Sequence, residues 1–324
     1  MSDLCRVCRS WLPSARTIFY KHPIVTSTKR LTAISRTLSS LPQIGRSVKG
    51  ISIGIVYDRS YDLSITSVTT ITIELLSTLA NLRALCLEGG AARAIPSKTF
   101  LECSSALTTL CLHDMALTPH AVSLIPSGLK CLTMQDVSIP CDTVFPRLPI
   151  LQTLRLKGYV AGESISRQLF AQCPALDCLV LRDSCGKGMM QILAPLAPRI
   201  RKLWMHNVLA PVNSCMEDMP HLQELEIDES YMYKQVDWLP RALQTLKLRW
   251  LPIYYLQPLF KRLLDARRFP NLVSVPQIEI EWHLSERHHD LTELARRVLA
   301  HLEKDRGLSR QSERVAQELH LGAG

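Results

Sequence analysis

Aromatic residues are scarce. Phenylalanine, tyrosine and tryptophan make up 6% of the 324 residues, so the core must be built from aliphatic side chains. Long apolar runs are missing as well: no window of about 18 residues is both apolar and free of charge, which argues against a transmembrane helix. The N-terminus lacks an apolar signal-peptide core, because Arg6, Arg9 and Arg16 interrupt it. The expected location is therefore the cytoplasm or nucleus, with no membrane partner. Nor do the cysteines suggest a secreted disulfide framework. The eleven of them are scattered through a long chain, and several (Cys86, Cys111, Cys131, Cys178) sit in leucine-rich runs where a thiol behaves as a small hydrophobe. Reduced cysteines are expected.

Basic charge is present but poorly distributed for nucleic acid. The formal charge is +9, yet residues 1–60 hold 10 Lys/Arg against 2 Asp/Glu, a surplus of +8 that leaves +1 for the rest. A nearly neutral body with a basic leader is not a basic groove, and no nucleic-acid partner is expected.

What the sequence does contain is a repeat. The strings LRALCL (82–87), LTTLCL (107–112), LKCLTM (129–134), LQTLRL (151–156), LDCLVL (176–181), IRKLWM (200–205), LQELEI (222–227) and LQTLKL (243–248) share aliphatic residues at positions one, four and six. Their first residues are spaced by 25, 22, 22, 25, 24, 22 and 21, inside the 20–29-residue period of leucine-rich repeats. Weaker copies flank the run at VKGISI (48–53) and near NLVSVPQIEI (271–280). The alternating half of each string reads as a half-buried strand, predicted at 85–87, 110–112, 132–134, 154–156, 179–181, 203–205, 225–227 and 246–248. Uniform units of this length demand parallel pairing in chain order.

Between strands the apolar spacing turns helical, as at Ile165, Leu169 and Phe170, and at Met189, Met190, Ile192 and Leu193. A proline precedes most repeats (Pro126, Pro149, Pro174, Pro198, Pro220, Pro240, Pro270), ending the helix and sending the chain into an extended conformation. Each unit thus reads strand, turn, helix, proline, strand, and no unit can bury its leucines alone. A doubly wound α/β sheet would need strands apolar on both faces, which these are not. The expected fold class is α/β, a leucine-rich-repeat solenoid (horseshoe). Parallel strands line its concave face, and helices or irregular segments its convex face. The position that often carries asparagine in such repeats holds Gly90, Met115, Val137, Tyr159, Ser184, Val208, Ser230 and Leu251 instead, so the turns must close their hydrogen bonds otherwise.

The opening stretch Val7-Cys8-Arg9-Ser10-Trp11, with Ala15-Arg16 and Phe19-Tyr20, resembles the last helix of an F-box. With residues 21–53 and the repeats behind it, the chain resembles fungal F-box proteins with leucine-rich repeats. The front of the F-box, which opens with an L-P-x-E type segment, is absent, so the chain is expected to start inside the module. The resemblance implies a substrate-recognition subunit of an SCF-type ubiquitin ligase, with a Skp-type adaptor and cullin as further partners. Val7, Trp11 and Phe19 would be what remains of the adaptor-binding surface. The alternative is a leucine-rich-repeat interaction scaffold without a ubiquitin-ligase role. The domain reading is an F-box remnant over 1–25, a helical linker over 26–47, the solenoid over 48–283, a capping helix over 284–304 and a weakly helical or mobile tail over 305–324.

No catalytic constellation is legible, and neither enzymatic activity nor a cofactor is expected. CGKG (185–188) lacks the flanking residues of a phosphate loop and reads as a turn. Cys5 and Cys8 have no second ligand pair before Cys86, and His288-His289-Asp290 reads as solvated surface, so no metal is expected. The candidate site is the face on which the strands' non-core residues project. There a protein partner would meet Arg155, Lys157, Arg182, Trp204 and His206, then Glu226 and Asp228, then Lys247 and Arg249. Arginines beside a tryptophan have the composition of an interface hot spot. The competing reading pairs opposite charges of adjacent repeats across the strands.

Overall fold

The computed structural model describes residues 18, 20–54, 65–89, 106–158, 163–183, 193–206, 219–228, 239–251, 275 and 277–282. Val7, Trp11, Phe19, the CGKG turn, His288-His289-Asp290, the expected capping helix and the tail lie outside the described residues. The chain divides into two compact units, Met1–Leu203 with Val208–Ala210, and Trp204–Asn207 with Pro211–Gly324.

In the first unit, seven strands pair in parallel and in chain order. They are β1 (Ile24–Val25), β2 (Gly50–Gly54), β3 (Ala84–Glu88), β4 (Thr109–Ala116), β5 (Cys131–Ser138), β6 (Thr153–Lys157) and β7 (Cys178–Arg182). The strand β8 (Lys202–His206) is divided between the units. In the second unit β9 (Glu224–Asp228), β10 (Thr245–Leu251) and β11 (Gln277–Trp282) pair in parallel. All eight predicted strands are present, as are the two flanking copies. Ile24–Val25 is a strand that the sequence pattern did not mark, being too short to show a period.

The template positions explain the packing. Positions four and six are buried in every repeat: Leu85 and Leu87, Leu110 and Leu112, Leu132 and Met134, Leu154 and Leu156, Leu179 and Leu181 are the first five pairs. Position one is buried too, from Leu82 to Leu243. Each strand thus sends its leucines to one side, and within each unit stacking closes an aliphatic core. The fold is a leucine-rich-repeat solenoid of the α/β class.

Backbone hydrogen bonds link successive repeats where the strands begin. In the repeats that open at Leu82, Leu107, Leu129, Leu151, Leu176, Ile200 and Leu243, the N–H groups of positions two and three both donate to the position-two carbonyl of the repeat before. Thr108 and Thr109 bond to Arg83 at 2.8 and 2.9 Å, Lys130 and Cys131 to Thr108, Gln152 and Thr153 to Lys130, and Gln244 and Thr245 to Gln223. Tight turns lead into the strands, closed by Leu151 N–H to Leu148 O, Leu176 to Cys173 and Leu222 to Met219. Pro149, Pro174 and Pro220 occupy the second residue of these turns, where a fixed φ is already correct. Their role is to set the turn, rather than only to end a helix.

The helices are few. In the first unit α1 (Thr28–Ser40) starts at Ser27, whose side chain accepts the Arg30 N–H at 3.3 Å. It buries Leu31 and Leu38 and packs on the next long helix, Ile65–Ser77, which buries Val68, Leu75 and Leu76. The helix expected around Ile165 is found at Glu163–Ala171, with Leu169 and Phe170 buried. Leu193, also buried, precedes a single 3-10 turn at Ala194–Leu196. Between β5 and β6 no helix forms, contrary to the repeat scheme. That connection carries Pro140, Pro146 and Pro149, which remove donors and disfavour α geometry in the residue before each.

Candidate functional site

The strand residues between the core leucines form a polar face. Parallel registration turns each template position into a row across neighbouring strands. In the first unit, position seven brings Lys157 on β6 directly beside Arg182 on β7, and position five places Arg155 beside Val180. Arg155, Lys157 and Arg182 are thus grouped on two adjacent strands. Arg155 is exposed, Lys157 is half-buried, and the Arg182 Nε lies 3.7 Å from the Asp183 carboxylate. Trp204, the fourth member expected of this patch, belongs to the second unit. Its indole N–H is buried without a hydrogen-bond partner among the described residues.

In the second unit the charges meet one another. The Lys247 ammonium lies 3.1 Å from the Glu224 carboxylate. The Glu226 Oε1 lies 3.4 Å from the His206 Nε2 and 3.5 Å from the Arg249 Nε, with 12% of the glutamate side chain exposed. Asp228 is registered against Arg249. This is cross-strand pairing of opposite charges between repeats, the competing reading of the same residues.

Two features of this face escaped the sequence reading. One is a row of left-handed residues one position after the seventh: Gly89, Asp114, Asp136, Gly158 and Asp183 have φ of 64, 51, 51, 72 and 51°. These types tolerate positive φ best, and at Asp114 and Asp136 the strands run on past the residue, to Ala116 and Ser138. The signal lay in the sequence, one residue before the position searched for asparagine.

The other is a set of thiols. Cys86, Cys111 and Cys131 were expected to serve as small core hydrophobes, yet all three are half-exposed on the polar face. They stand at the third or fifth template position, where strand alternation points a side chain opposite to the leucines of positions four and six. Only Cys178 among the four is buried. Cys86 and Cys111 are registered directly opposite each other on β3 and β4. The hydrogen bond between their side chains pushes Cys86 up and holds Cys111 down to about 7. Burial adds to the rise at Cys86 and opposes the fall at Cys111, while the Thr133 side chain also favours the Cys111 thiolate. Cys173, by contrast, is pushed up to about 12 by burial, and Cys178 is raised for the same reason.

No protein-family model matches the chain, and no curated protein matches it. Among solved structures, the chain is similar to the leucine-rich repeat-containing protein LegL7 from Legionella pneumophila. That match has 14% identity and a TM-score of 0.43, and covers 86% of this chain and 97% of that one. Among the described residues, no helix is long and apolar enough to cross a membrane.

Proposed function

We propose that this protein is an interaction scaffold that holds a protein partner on the polar face of its repeats, and that the partner offers an acidic or phosphorylated segment. The observation that carries this is the pairing of Lys157 with Arg182 beside an exposed Arg155. Three cations grouped on two adjacent strands attract an anion together, and a partner's anion would share Arg182 with the Asp183 carboxylate that lies 3.7 Å from it. Guanidinium groups suit such anions because they bind carboxylate and phosphate oxygens in pairs. The second unit offers less, since its charges already compensate one another.

Reversing Arg155 and Arg182 to Glu is the direct test. Binding to acidic or phosphorylated peptides, measured by titration calorimetry, should be lost. The melting temperature should stay nearly constant, because exposed charges contribute at most about 1 kcal/mol each to folding. A sharp fall in melting temperature would make the arginines structural. Unchanged binding would move the partner to another face.

The finer reading is a substrate receptor of an SCF-type ubiquitin ligase. It is supported by the resemblance of Val7-Cys8-Arg9-Ser10-Trp11 to the end of an F-box. Co-purification with a Skp-type adaptor tests it, using this chain and a form extended upstream by a complete F-box. Adaptor binding by the extended form alone is the expected result. Binding by neither form would leave a scaffold without a ubiquitin-ligase role.

A further inference from the structure

The polar face of the first unit carries a pair of thiols for which partner binding has no use. We propose that Cys111 and Cys86 form a peroxide-reactive dithiol, with Cys111 as the attacking nucleophile and Cys86 as the resolving thiol. Geometry comes first. The β3–β4 register sets the two residues opposite each other, and neighbouring strands lie about 4.8 Å apart, inside the Cα separation that a disulfide spans. Both side chains are half-exposed, so a small hydroperoxide can reach them. Each sulfur has a hydroxyl neighbour in the same row, Ser52 beside Cys86 and Thr133 beside Cys111. The Cys86 thiol donates to the Cys111 sulfur, which accepts from Thr133 as well, so negative charge settles on Cys111.

The chemistry balances without further groups. The Cys111 thiolate attacks one peroxide oxygen, the O–O bond breaks, and the leaving hydroxide takes up a proton to become water. Cys111 is now a sulfenic acid. The Cys86 sulfur then attacks the Cys111 sulfur, the S–O bond breaks, and the departing hydroxide leaves as water with the Cys86 proton. Two thiols and one hydrogen peroxide give one disulfide and two waters.

The test uses the full reduced chain, exposed briefly to hydrogen peroxide, alkylated and digested for mass spectrometry. The expected product is a peptide pair linked through Cys86 and Cys111, with fragmentation separating Cys111 from the nearby Cys103. Cys86→Ser should leave Cys111 as a sulfenic acid that a 1,3-dicarbonyl probe captures. Cys111→Ser should abolish both products, and Cys131→Ser should change neither. Melting curves of the three serine variants, each a near-isosteric change at a half-exposed site, show whether they remain folded. Linkage of Cys111 to Cys131, or oxidation of Cys173 as fast as Cys111, would overturn the proposal. So would the absence of any linked product from the folded chain.

Discussion

Gly158 sits where two constraints meet. Its φ is 72°, and a Cβ built there would collide with the Asp136 carboxylate of the preceding repeat. Gly158→Ala should therefore destabilise the first unit by about 1–3 kcal/mol, seen as a lower urea midpoint. Asp114 shares the left-handed geometry, so Asp114→Gly should shift stability by no more than about 0.5 kcal/mol, while Asp114→Val should cost about 1–2 kcal/mol. The thiols separate in the same way by position. Around Cys111 stand Cys86 and Glu88 on β3, His113 on β4, Cys131 on β5, and Arg155 and Lys157 on β6. With Cys111 held near 7, its alkylation rate should rise with pH and reach half its maximum close to pH 7. Cys173, at about 12, should react slower by on the order of 100-fold at that pH. Residue identity alone foretold neither contrast. Cys131 and Cys178 share the third template position, yet only Cys178 is buried, and only the register says which thiols are neighbours.

Elements were far easier to read. A template with three fixed aliphatic positions locates strands to within a residue or two, because each leucine must reach a core that only stacking supplies. The helices were harder. Proline-rich connections such as that between β5 and β6 satisfy their backbone by turns, and apolar spacing does not distinguish the two solutions. Among the strands of the second unit, Glu226 is the residue on which charge pairing turns, since one carboxylate oxygen serves both His206 on β8 and Arg249 on β10. Glu226→Gln should cost about 1–2 kcal/mol, between the values for exposed and buried pairs, and lower the melting temperature measurably. Trp204 shows the limit of reading a patch from matched template positions: equal offsets put it on the same row as Arg155, yet it belongs to the other unit.

For the molecule as a whole, backbone hydrogen bonds recur at one point of successive repeats, and side chains such as Asn81, Thr108 and Arg199 add donors to carbonyls of the repeat before. Position two holds Arg83, Thr108, Lys130, Gln152 and Asp177 in succession, with no chemistry in common, and all five carbonyls receive the same two N–H groups from the repeat that follows. Removal of residues 109–130 would join Thr108 to Cys131, whose N–H would find the Arg83 carbonyl as Thr109 now does. This excision should leave a folded chain with a cooperative thermal transition. Removing 109–119, half as much, should not, because it deletes β4 and leaves too short a segment before Leu129 for a strand and its parallel crossover. Circular dichroism during heating distinguishes the two. A gene for such a chain can gain or lose a whole repeat by one unequal crossover, because the recurring junction is written in peptide groups that every codon but those for proline supplies.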